Sequence, residues 1–190
     1  MPHPLLPDVW PILASLETAM PALSPDRPNP ALAAQVIDID QGLLTRFPAA
    51  SRDQLGCVQA GMWLLADDLD RAHTICQEIP SALGSAWHAV MHRREGDFSN
   101  SLYWWRRAGA VHWADPLDGT SLLDAVRQTL AASVAAEAKV FAVGGVYDPA
   151  ALVRAAERAP AAGAWAETLA ALQRWEWLSL FTTAVAEAGR

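Results

Sequence analysis

Two histidines, His88 and His92, stand four residues apart in the stretch W-H-A-V-M-H-R-R-E-G-D that begins at Trp87. On a helix that spacing puts both imidazoles on one face. Such a pair can chelate a transition ion, as in H-x-x-x-H zinc sites. His73 lies one residue after a small residue, Ala72, on a segment expected to run antiparallel to theirs, so it would complete a three-imidazole set. Glu95, Asp97 or Asp68 could add an oxygen ligand at the neighbouring turn. The sequence leaves the cofactor open; a divalent ion of the zinc type is the one this set could hold. The same rings also fit a structural role, as neutral imidazoles bonded to a carbonyl or to a hydroxyl such as that of Tyr103. His92 is in addition the acid/base candidate, because an imidazole titrates near neutrality.

The densest charge in the chain follows directly: Arg93, Arg94, Glu95, Asp97 and Asn100, then Arg106 and Arg107. One chemistry for this cluster is an anion pocket, where a planar guanidinium fork takes a carboxylate or phosphate in two-point fashion. Tyr103, Trp104 and Trp105 would wall it. The other is a set of caps and salt bridges holding two helices together, Arg94 to Asp97 for example.

Composition narrows the classes. The chain has 190 residues, 52% apolar and 18% charged, which suits one globular domain with a well-buried core. A net charge of −7 argues against a nucleic-acid partner, since phosphate neutralisation needs a basic surplus. Cys57 and Cys76 lack metal-type spacing and predict reduced, buried thiols. No stretch approaches the ~20 apolar residues of a membrane span. The first residues, M-P-H-P-L-L-P-D, lack the basic start of a signal peptide, so a cytoplasmic protein is expected.

The elements that must position these groups read as helices. Residues 1–30 form a proline-rich segment packed on the domain, with a short helix over Ile12 to Met20, and residues 31–190 form the single helical domain. Pro30 opens a helix from Ala31 to Phe47. Ser51 and Gln54 fit a capping box, and Leu55, Val58, Met62 and Leu65 follow at helical spacing. A second helix spans Leu69 to Ile79, closed by Pro80. A third begins at Gly84 or Ser85 and runs to Glu95, and a fourth runs from Phe98 to Ala108, ended by Gly109. Beyond it the pattern predicts a helix over Ser121 to Lys139 and a short strand or loop over Val140 to Gly145. Asp148-Pro149 then opens a helix to Ala159, and a last helix covers Trp165 to Ala188. Trp175 and Trp177 on that last helix either close the core or offer a homodimer face.

Asp68-Leu69-Asp70-Arg71-Ala72 can be laid over Asp97-Phe98-Ser99-Asn100-Ser101: acid, large apolar, two polar, small. The string Gly96-Asp97-Phe98-x-x-Ser101-x-x-x-Trp105-x-x-Ala108 resembles tetratricopeptide or Sel1-like helix pairs over about two units, and implies close antiparallel packing. The longer run H-x-x-x-H-R-R-E-G-D-x-x-N-x-x-Y-W resembles the signature of a group of uncharacterised bacterial and fungal proteins. Tyr147-Asp148-Pro149 and Leu172-Gln173-x-x-Glu176-Trp177 match the same group, which implies a shared fold and site without an activity. Trp113-Ala114-Asp115-Pro116-Leu117-Asp118-Gly119-Thr120 resembles the magnesium loop of inositol-monophosphatase-like enzymes. That resemblance implies Asp115 and Asp118 as ligands and Thr120 as the residue orienting water. The upstream glutamate pair and downstream aspartate motif of that family are missing, and Asp-Pro and Asp-Gly turns account for the same string.

The sequence therefore predicts an all-α domain of antiparallel helix pairs with a tetratricopeptide-like centre. Its expected role is binding, through a pocket around the His-Arg-Arg-Glu segment that takes a small anionic ligand, a metal or a peptide. The competing roles are a metal-dependent hydrolase and a homodimeric scaffold with no active site.

Overall fold

A computed structural model describes residues 23–111, 142–143 and 146–190. Among them the chain is mainly helical. Helix α1 spans Pro30–Arg46, α2 Arg52–Leu65, α3 Leu69–Cys76, α4 Ala82–Glu95, α5 Phe98–Ala108, α6 Pro149–Glu157 and α7 Ala164–Ala188. Two-residue strands, β1 (Ala142–Val143) and β2 (Val146–Tyr147), pair antiparallel just before α6. The all-α expectation holds, and of the 140–145 stretch the described Ala142–Val143 forms the short strand β1. The expected helices over 12–20 and 121–139, and the Asp115-to-Thr120 loop, lie outside the described residues.

Local chemistry sets most boundaries. Asn29 caps α1 by accepting from the Ala31 and Leu32 amides, so Pro30 occupies the first turn, where its missing N–H costs nothing. Ser51 and Gln54 form the reciprocal capping box that starts α2. Asp68 and Asp97 cap α3 and α5 in the same way, each accepting from the amide three residues on. Gly96 ends α4 in the left-handed region (φ +88°), where glycine carries no steric penalty. Several boundaries differ from the sequence expectation; α1 ends at Arg46 rather than Phe47 and α6 at Glu157 rather than Ala159. Helix α3 stops at Cys76 rather than Ile79, and α4 starts earlier, because Ser81 rather than Gly84 or Ser85 caps it.

Successive pairs α2/α3 and α4/α5 pack as two antiparallel hairpins, and α7 lies across α2 and α4. The small residues at matching positions, Ala72 and Ser101, are fully buried, and the Ser101 hydroxyl donates to the Ala89 carbonyl at 2.7 Å. Close approach between α2, α4 and α7 needs Gly61. A β-carbon there would sit 2.8 Å from Phe181 and 2.9 Å from Trp87. Trp177 fills the same junction and donates its indole N–H to the Gly61 carbonyl at 2.8 Å. Helix α7 thus closes the core, and Trp177 is a core residue rather than part of a docking face. Trp175 is half-buried, with its ring edge-on to Tyr147 at 4.9 Å between centroids.

Every residue of α4 from Leu83 to Arg94 is buried. Arg93 and Glu176 form an ion pair with both side chains 0% exposed, so removing one partner strands a charge. The Glu176→Ala variant is therefore expected to lose roughly 3–5 kcal/mol of stability by urea denaturation. A loss below about 1 kcal/mol would contradict a buried, charged Arg93.

Candidate functional site

Helix α3 supplies His73, and α4 supplies His88 and His92 one turn apart on one face. The three rings converge. His73 lies 4.8 Å from His88 and 5.1 Å from His92 between centroids, and His88 stacks on His92 at 4.8 Å. One ring nitrogen from each can be chosen so that all three lie within 4.8 Å of one another. A tetrahedral zinc with Zn–N bonds of about 2.0–2.1 Å holds its ligand nitrogens about 3.4 Å apart. Small side-chain rotations would therefore close the set. His88 and His92 are buried, and His73 is half-buried at the edge.

The surroundings of each ring differ in a way that matters chemically. His92 Nδ1 lies 3.2 Å from Glu95 Oε2, so the carboxylate accepts the Nδ1 proton and leaves Nε2 with its lone pair. His88 is only 3% exposed, yet among the described residues neither of its nitrogens has a hydrogen-bond partner. A neutral imidazole always presents one N–H and one lone pair, and burying either unpaired costs about 1–3 kcal/mol. Trp104 of α5 covers the other side of His88, with ring planes 21° apart and centroids at 3.9 Å. Arg107, one turn on, places its guanidinium carbon 5.4 Å from the Trp104 ring.

The remaining residues of the motif serve the fold. Arg93 reaches Gln173 at 3.2 Å and Glu176 beside it, and Tyr147 donates to the other Glu176 oxygen at 2.9 Å. Three separate sequence motifs (the His-Arg-Arg run, Tyr147-Asp148-Pro149 and Gln173-x-x-Glu176) so meet in one network, with Gln173 80 residues from Arg93 and Glu176 29 from Tyr147. Arg94 donates to the Leu64 carbonyl and pairs with Asp67, which adopts a left-handed backbone (φ +59°) at the α2–α3 turn. The expected Arg94–Asp97 bridge is thus replaced by a longer-range one. Both guanidinium groups engage internal acceptors, which removes them from an anion pocket. Asp97 and Asn100 face each other across the α5 cap, with the Asn100 amide nitrogens at 3.0–3.1 Å from the carboxylate. Those bonds, the backbone one first, hold the Asp97 carboxyl below its usual value. Tyr103 is exposed, its ring edge-on to Trp104. The sequence places the histidines and Glu95 together and assigns Trp104 to the wall of an anion pocket, but it does not show Asp67, Gln173, Glu176 and Tyr147 as the network around the arginines.

Cys57 and Cys76 are free and buried, and burial pushes both thiols up to about 12, so they remain protonated. A separate groove of about 370 Å³ between α2 and α3 is lined by Arg52, Asp53, Gln59, Thr74 and Glu78 among others, with none of the three histidines.

Burial, with the neighbouring His92 and His73, lowers His88 from its ordinary 6.5 to about 4. Burial and His73 also lower His92, while Glu95 pulls it back up. The unfolded His88 takes its proton near 6.5 and the folded one near 4, so between these values the unfolded state binds more protons. Metal-free protein should hold its full stability above pH 6.5 and lose on the order of 2–3 kcal/mol as the pH falls toward 4. Urea unfolding across that range measures the slope, and His88→Gln should flatten it. Equal slopes in both proteins would contradict a proton-free buried His88.

In comparisons with known proteins, the chain matches no family model, no curated protein and no solved structure.

Proposed function

We propose that the protein binds one divalent transition ion through His73, His88 and His92, with zinc the best fit. The observation that carries this reading is His88: a buried imidazole with both nitrogens unpaired among the described residues, beside two more imidazoles within ligand reach. A histidine kept for structure has its N–H and lone pair satisfied by protein groups. An ion at this point would take the lone pairs of all three rings. Neutral imidazole nitrogens suit zinc, copper, nickel and cobalt, and discriminate against magnesium and calcium, which prefer oxygen. The Glu95–His92 contact supports the same reading, as a carboxylate behind a ligating histidine fixes its tautomer and raises its basicity.

The alternatives have weaker support. An anion pocket built on Arg93 and Arg94 would have to break pairs to Glu176 and Asp67. In a metal site the His92 lone pair is taken, so His92 acts as a ligand and not as a free acid or base. A dimer face over Trp177 would require a residue that is 5% exposed.

Calorimetric titration of chelator-treated protein with zinc should give one ion per chain. His88→Ala should abolish that binding, and His73→Gln, at the half-buried position, should weaken it strongly without loss of fold. Zinc at a hundredfold excess over its dissociation constant should add about 2.7 kcal/mol to wild-type stability and nothing to His88→Ala. No binding heat and no stabilisation in the wild type would refute the metal reading.

A further inference from the structure

We infer that the ion held by His73, His88 and His92 takes an exchangeable small anion, supplied from solvent, as its fourth ligand. The inference rests on the metal reading above and names what that site would bind.

Charge is the first argument. Three neutral imidazoles leave both positive charges of a divalent ion uncompensated in a site whose inner walls, His88 and His92, are 3% and 6% exposed. In such surroundings an anionic fourth ligand is favoured over a neutral one, and bound water readily gives up a proton to solvent to become hydroxide.

Geometry is the second. Among the described residues Glu95 is the acidic side chain hydrogen-bonded to the cluster, its Oε2 sitting on His92 Nδ1 at 3.2 Å. An ion bound at Nε2 lies across the ring from that oxygen, so Glu95 cannot hold Nδ1 and ligate the ion together. Among the described residues, the group of potential ligands within reach of one another contains the three histidines alone. Structural zinc sites are closed by a fourth protein ligand, whereas three-ligand sites keep an open position.

Access is the third. His73 is half-buried, and Glu95 is 46% exposed at its side chain, so the cluster meets solvent along the edge between α3 and the end of α4. Trp104 closes the far side over His88. The opening suits a single small donor: hydroxide, azide, or one oxygen of a carboxylate.

Cobalt(II) in place of zinc makes this readable, since a four-coordinate cobalt ion has visible absorption that changes with its ligands. The expected result is a visible band in cobalt-loaded wild type that shifts saturably on addition of azide and is displaced competitively by acetate. His88→Ala should show neither band nor shift. A band that azide leaves unchanged would overturn the inference by showing a fourth ligand supplied by the protein, with the metal reading intact. Absence of any cobalt band in the wild type would overturn both.

Discussion

A helix enclosed on every side must find partners inside the protein for whatever polar groups it carries. Helix α4 is in that position from Leu83 to Arg94, and it carries two arginines and two histidines. Water cannot rescue these groups, so the neighbouring elements are arranged to receive them. Arg93 draws Glu176 and Gln173 of α7 and, through Glu176, Tyr147 of β2. Arg94 takes the Leu64 carbonyl and Asp67 at the end of α2, and its own carbonyl accepts from Ser24 at 2.7 Å. His92 leans on Glu95. Among the described residues the Trp87 indole N–H and the His88 ring are left without a hydrogen bond, and His88, with both nitrogens unpaired beside two more imidazoles, marks the site.

The same packing brings the ligands together. Ala72 and Ser101 are small enough to let α3 and α5 lie close to α4. His73 then approaches the His88 ring from one helix and Trp104 from another. A metal at this point would tie the first hairpin to the second across the 77–81 turn. Its binding free energy would accordingly add to fold stability as well as serve a ligand.

Much of this was legible in the sequence because it is local. The Ser51–Gln54 capping box, the Asp68, Asp97 and Asp148 caps, and the Gly96 terminus each depend on residues within a few positions. The His88–His92 pair follows from helical spacing, and His73 from the antiparallel hairpin. The end of α3 and the start of α4 are not legible in the sequence, because Ser81, an ordinary serine beside a proline, has no apolar pattern to mark it as a cap. The partners of Arg93 and Arg94 were illegible for a different reason. Glu176 is 83 residues from Arg93, and Asp67 is 27 from Arg94, and spacing holds no information at such separations. The cluster's two chemistries, pocket or internal pairing, differ only in those long-range contacts.

The central claim is that three imidazoles share one ion. X-ray absorption at the zinc edge of zinc-loaded protein tests it most directly. The expected spectrum has a first shell of nitrogen and oxygen at about 2.0–2.1 Å with outer-shell scattering from three imidazole rings. A shell of oxygens without ring scattering, or with a single ring, would mean that the ion sits elsewhere and that the cluster of His73, His88 and His92 is structural.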